Sequence, residues 1–90
     1  MKNINEEKSK LIDKKVLVEI MRKHFSDEDP DGEIHKELKL LIQNGYDRND
    51  IKKKVEEYLS ELRNQGNEAE EIMLNVMGFF DGWAHSDWQI

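Results

Sequence analysis

The chain has 90 residues, no cysteine and a net charge of −6, and charged side chains make up 38% of it. This length predicts one helical domain over residues 1–90 with a thin core, and the lack of cysteine excludes disulfides, thiolate zinc sites and a cysteine nucleophile. No apolar run approaches the roughly 18 residues of a membrane span. Residues 1–10 lack the apolar centre of a secretion signal, so we expect a cytoplasmic protein that does not engage membranes.

The charge is distributed unevenly along the chain. Residues 1–23 contain seven Lys or Arg and four Asp or Glu, a net charge of +3, whereas residues 24–90 contain seven and sixteen, a net charge of −9. No Lys or Arg follows Arg63. Because an acidic surface repels nucleic acid and attracts basic proteins, this distribution predicts a basic protein partner and no nucleic-acid ligand.

The first predicted helix runs from about residue 4 to residue 25. Asn3 and Glu6 have the spacing of a capping box at its start. One apolar stripe at helical spacing comprises Leu11, Leu17, Val18, Met21 and Phe25. A nearly opposite stripe comprises Ile12, Val16 and Ile20. Since an amphipathic surface helix needs only one apolar stripe, this helix is expected to be central in the bundle or to form a homodimer.

Local signals divide the rest of the chain into three further helices. Asp29 is expected to cap the second helix, with Pro30 at its first position and Gly45 ending it in the left-handed conformation. Asp47 and Asn67 are expected to cap the third and fourth helices. Inward-facing apolar residues are predicted at Ile34, Leu38, Leu41, Ile51, Val55, Tyr58 or Leu59, and Leu62; the fourth helix adds Ile72, Met73, Val76, Met77, Phe79, Phe80, Trp83 and Ala84. The prediction is an all-α fold, a small bundle of four mostly antiparallel helices with short turns.

The acidic turn before the second helix resembles the EF-hand calcium loop. Residues 27, 29, 31, 32 and 34, which are Asp, Asp, Asp, Gly and Ile, match loop positions 1, 3, 5, 6 and 8. The loop departs from the motif at position 12, where Leu38 replaces the bidentate Glu and Glu37 comes one residue early. A shortened calcium site of Asp27, Asp29, Asp31 and Glu37 is one interpretation. The other is an acidic turn whose aspartates cap helices, and no other cofactor is expected.

Two further sequence patterns favour neither DNA binding nor catalysis. Arg48 and Lys52, Lys53 and Lys54 could face phosphates in a helix-turn-helix, but three glutamates follow on the same helix and the chain is acidic. The sequence His85-Ser86-Asp87 contains the residue types of a hydrolase triad. Sequence neighbours cannot adopt triad geometry, which needs groups converging from separate elements. We therefore expect no enzymatic activity.

Four of the seven aromatic residues lie within residues 77–90. Phe79 and Phe80 are expected in the core, whereas Trp83 and Trp88 could anchor a partner, as tryptophan often does at interfaces. The predicted partner-binding residues are Trp83, Trp88, Asp81, Asp87, Glu70 and Glu71. The function predicted from size, charge and these anchors is an immunity- or antitoxin-like inhibitor of a basic partner such as a toxin nuclease. A calcium-binding module and a structural or regulatory homodimer are the alternatives.

Overall fold

The computed structural model describes residues 10–63, 67–81 and 89–90, and within them the chain forms four α-helices. Helix α1 spans Lys14–Arg22, α2 spans Pro30–Gln43, α3 spans Arg48–Leu62 and α4 spans Glu68–Asp81. The described ranges contain no β-strand, and one isolated parallel bridge joins Lys10 to Tyr46. The all-α fold class is therefore confirmed, while the antiparallel arrangement stays a prediction.

Helix α1 spans Lys14–Arg22 and is therefore shorter than the predicted helix of about residues 4 to 25. The predicted capping box at Asn3 lies outside the described residues. Asp13 caps the helix in an extended conformation, and its side chain accepts a hydrogen bond from the Lys15 N–H at 2.8 Å. Just before it, the Lys10 N–H donates to the Gly45 carbonyl and the Lys10 carbonyl accepts from the Asp47 N–H, both at 2.8 Å. These tertiary bonds hold the backbone at Lys10 outside the helix.

The two apolar stripes predicted for the first helix are buried to different extents. Leu17 and Met21 are fully buried, but Leu11 is 70% exposed because it precedes the helix. Of the opposite stripe, Val16 is 49% exposed, and Ile12 is buried from the extended segment. The Ile12 N–H donates to the Asp50 carboxylate at 3.0 Å. The helix thus has one fully buried face, and a homodimer through it stays a prediction.

The predicted caps of the later helices are present. Asp29 accepts a hydrogen bond from the Gly32 N–H at 3.2 Å, with Pro30 in the first turn of α2. Gly45 follows the end of α2 with φ of +98°. Asp47 accepts from the Asn49 N–H at 3.1 Å, and the Asn67 side chain accepts from the N–H of Glu70 at 3.2 Å. Each cap satisfies a backbone N–H that has no partner inside its own helix.

A single apolar cluster joins the four helices. Helix α4 packs against α2 and α3, and α1 packs against the same two helices. In the described part of the chain, the buried apolar residues are Ile12, Leu17, Met21, Ile34, Leu38, Ile51, Val55, Tyr58, Leu59, Leu62, Ile72, Met73, Val76, Met77, Phe79 and Phe80, and no polar or charged residue is buried. Trp83 and Ala84 lie outside the described residues. No described helix combines the length and apolar character needed to cross a lipid bilayer.

The turn between α2 and α3 requires glycine at position 45. With φ at +98°, a side chain there would be strained, although an added Cβ would meet only the Lys10 side chain at an ordinary 3.5 Å. We predict that Gly45→Ala lowers the free energy of unfolding by about 1–2 kcal/mol through backbone strain alone. Urea denaturation measures this change. The control is Asn44→Ala, because the preceding residue has an ordinary φ of −88°. An equal loss of unfolding free energy in both variants would contradict the explanation.

Candidate functional site

An open cleft of about 780 Å³ lies between the start of α2, the second half of α3 and the C-terminal half of α4. Three buried apolar side chains, Leu59, Met77 and Phe79, form its floor. Four carboxylates stand around it; they belong to Asp29, Asp31, Glu56 and Asp81. We call this feature, floor and carboxylates together, the acidic cleft.

One face of α4 runs along the acidic cleft. Leu74, Asn75, Gly78 and Asp81 all line it, and their spacing of three or four residues places them on one side of the helix. Leu74 is 49% exposed, which makes it an accessible apolar group beside the acidic residues. Gly78 has no side chain, so the surface of the acidic cleft is recessed at this residue. The face therefore presents apolar contact area between charged groups.

The carboxylate of Asp31 is partly buried in the acidic cleft. Partial burial raises its pKa, and the neighbouring carboxylates of Asp29 and Glu71 raise it further. The Asn75 side-chain amide donates a hydrogen bond to Asp31 at 2.9 Å, which partly offsets this effect. The ionised form of Asp31 is thus held in an environment that disfavours it.

Few cations approach the acidic cleft from within the described part of the chain. Arg63 lines it, and the Lys52 ammonium lies 3.1 Å from the Asp81 carboxylate. No ion pair between described residues involves Asp29, Asp31 or Glu56. The acidic cleft is therefore a site of excess negative charge.

Two basic side chains of α3 lie beside the C-terminal end of α4. The sequence around that end contains no Lys or Arg, because none occurs after Arg63. Arg48 donates hydrogen bonds to the Phe80 carbonyl at 2.9 Å and to the Ile90 carbonyl at 2.6 Å. Its guanidinium also lies 5.4 Å from the centre of the Phe80 ring. Lys52 pairs with Asp81 beside it. This end of α4 is thus partly neutralised, which sequence order alone did not indicate.

Three of the six predicted partner-binding residues, Asp81, Glu71 and Glu70, lie in the described part of the chain. Asp81 lines the acidic cleft, and Glu71 is close enough to influence Asp31. Glu70 lies in the first turn of α4, about 16 Å along the helix from Asp81. The remaining predicted residues, Trp83, Asp87 and Trp88, lie outside the described residues. Phe79 and Phe80 are buried, as predicted.

The four predicted calcium ligands have other roles in the turn. Asp29 caps α2 and Asp31 accepts from Asn75, as described above. Asp27 and Glu37 instead contact the two nitrogens of the His24 ring, at 2.6 and 2.9 Å. Among the described residues, no group of three or more His, Asp or Glu side chains is placed to hold a metal ion. Calcium binding stays a prediction from the sequence.

Residues proposed for DNA contact also make contacts within the chain. Arg48 binds backbone carbonyls, Lys52 pairs with Asp81, and Lys54 pairs with Asp50 on the same helix. The hydrogen bond from Lys54 lowers the pKa of Asp50, and the Ile12 N–H adds to this effect. These basic side chains stabilise junctions between segments of the fold.

Sequence reasoning missed most of the acidic cleft. Glu56, Leu59 and Asn75 come from different helices or carry no motif, and only the packing of α3 on α4 brings them together. Leu74 had a readable signal, since it is an apolar residue that falls outside both predicted apolar faces of α4. The contact between His24 and Asp27 also had a readable signal, because Asp27 follows His24 at the i+3 position.

The acidic cleft offers both negative charge and apolar contact area. Its side chains are carboxylates, one amide, one guanidinium and apolar groups. Such a combination suits a cation with an apolar body, which gains both ion pairs and buried surface. Comparison of the chain with protein-family models, with curated proteins and with solved structures gives no match.

The contacts of His24 predict a pH-dependent link between the turn and α2. Hydrogen bonds to Glu37 and then Asp27 raise the pKa of His24, and those from His24 and Lys23 lower the pKa of Glu37. The stabilisation from His24 is complete below its ordinary pKa of 6.5 and disappears as pH rises through the raised folded value. The stabilisation from Glu37 disappears as pH falls through its lowered folded pKa. The link should thus be strongest between about pH 4.5 and 6.5.

We predict that His24→Gln lowers the free energy of unfolding by about 1 kcal/mol near pH 5.5, and by less near pH 9. Urea denaturation at both pH values measures the difference. His35→Gln is the control, because His35 instead packs edge-to-face on Phe79 with ring centres 5.0 Å apart. A His24→Gln effect that is the same at both pH values would rule out the charged link.

Proposed function

We propose that this chain is a non-enzymatic binding protein that covers a basic protein partner. Its most concrete form is a cytoplasmic immunity- or antitoxin-like inhibitor that blocks a basic toxin such as a nuclease. The observation that supports the proposal best is the acidic cleft. There Asp29, Asp31 and Glu56 lack an ion-pair partner among the described residues, above an apolar floor.

Inhibition by covering requires a scaffold that keeps its shape and a surface that meets its target quickly. The apolar core and the capped helices supply the first requirement. The net charge of −6 supplies the second, because opposite charge raises association rates between proteins by steering their approach. Neither requirement needs a catalytic group or a cofactor.

The proposal predicts a saturable complex with a basic protein from the source cell. The tagged chain should retain a partner with an isoelectric point above about 9, in a fixed stoichiometry and with a Kd below about 1 μM near physiological salt. Once purified, this partner should lose activity when the chain is added in equal amount. Stopped-flow mixing should show an association rate that falls about tenfold or more between about 20 mM and 500 mM salt.

Two results would oppose the proposal. One is a specific partner whose surface is acidic, because the charge argument would then have the wrong sign. The other is a basic partner that remains fully active in the complex, which would leave binding but remove inhibition.

A further inference from the structure

We infer that the acidic cleft receives a basic amphipathic helix from the partner protein. An apolar side chain of this helix would rest on Leu59, Met77 and Phe79, and its Lys or Arg residues would meet Asp31 and Glu56. The inference depends on the proposed function in that the partner is basic, and it adds where and how that partner binds.

The distribution of ion pairs supports a cationic occupant. Away from the acidic cleft, five described carboxylates pair with lysine, and others, such as those of Glu19 and Glu28, are unpaired on the exposed surface rather than in a recess. Lys14 pairs with Glu57 and Glu61, and the other such pairs are Lys23–Glu37, Lys36–Glu33 and Lys54–Asp50. Asp31 and Glu56 line a recess and have no such pair. A partner's ammonium or guanidinium groups would supply the missing charge, and would relieve the unfavourable environment of ionised Asp31.

The shape of the acidic cleft supports an occupant with an apolar side. Its volume of about 780 Å³ accommodates several side chains, and the floor residues are already packed, so they need not rearrange. Leu74 extends the apolar surface toward solvent, where it is 49% exposed. Gly78, near the C-terminal end of α4, has a lower helix propensity than Ala would have at that position. Without a side chain at that position, another backbone can approach α4 closely.

A helix fits this surface better than an extended segment. An extended segment binds strongly when it adds main-chain hydrogen bonds to the edge of a sheet, and the described residues contain no strand that offers such an edge. The exposed face of α4 spans the eleven residues from Glu71 to Asp81, a length of about 15 Å. A partner helix of about three turns spans the same distance, and helices commonly bind in grooves through residues spaced three and four apart.

The test uses NMR titration of the isotope-labelled full chain with a designed probe. The probe is a capped helical peptide of about 14 residues, built from Leu, Lys and Ala with leucines on one face and lysines beside them. At low salt, we expect saturable shifts centred on the amides of Leu74, Asn75 and Gly78. Two matched peptides separate the contributions: one replaces Lys by Glu, and the other replaces Leu by Ser. Both should bind at least tenfold more weakly.

Variants of the chain locate the binding. Asp31→Asn combined with Glu56→Gln should weaken probe binding at least tenfold. Glu19→Gln combined with Glu28→Gln removes the same charge from residues that do not line the acidic cleft, and should change affinity by less than about threefold. Gly78→Leu should also weaken binding by filling the recess. Thermal unfolding and amide spectra verify that each variant is folded.

The outcomes separate the inference from the proposed function. Saturable shifts centred away from the acidic cleft, equal weakening in both charge-removing variants, or no shifts at millimolar probe would overturn the inference. After any of these results the proposed function would lose its best structural support, and inhibition of the native partner would still decide it separately. Conversely, a native partner that is acidic removes the proposed function even if the basic probe binds in the acidic cleft.

Discussion

The apolar face of α4 is the constraint on which the remaining structure depends. It packs against α2 and α3, and its buried residues include Met73 and Val76, which have no exposed surface. Every buried side chain in the described residues is apolar apart from the hydroxyl of Tyr58, so the charges remain at the surface. A small domain has little stability to spare, and burying an unpaired charge would cost several kcal/mol.

The residues that form the floor of the acidic cleft also belong to the apolar core. Phe79 packs in the apolar cluster while contributing to the cleft, and so does Leu59. This arrangement makes the floor rigid, because any shift of these side chains would disturb the contacts of α3 with α4. A rigid floor reduces the ordering that a partner must impose on binding, which favours affinity.

Local chemistry made much of the fold readable from the sequence. The caps at Asp29 and Asp47 and the glycine at position 45 act within a few residues, so their sequence signals suffice. The start of α1 could not be predicted in the same way, because the backbone of Lys10 bonds to the distant Gly45 and Asp47. The acidic cleft could not be predicted from local sequence either. Asp81 and Glu71 were predicted from charge and position, but Glu56 and Leu74 become relevant only when α3 and α4 are packed together.

Asp29 and Asp31 belong to one acidic segment but have different surroundings. Asp29 caps α2 through the Gly32 N–H, so replacing it with Ala should cost about 1 kcal/mol of stability. Asp31 lies two residues away with the same charge, but its surroundings raise its pKa, so its ionised form works against folding as pH rises. Our central claim is that the first carboxylate serves the fold and the second serves binding.

The most direct test is the free energy of unfolding of Asp31→Asn at pH 7, measured by urea denaturation beside Asp29→Ala. The substituted amide can still accept the hydrogen bond from Asn75. We predict that Asp31→Asn is as stable as the parent chain or more stable, while Asp29→Ala is less stable. A loss of more than about 0.5 kcal/mol in Asp31→Asn would show that the fold needs this carboxylate, and would contradict the account.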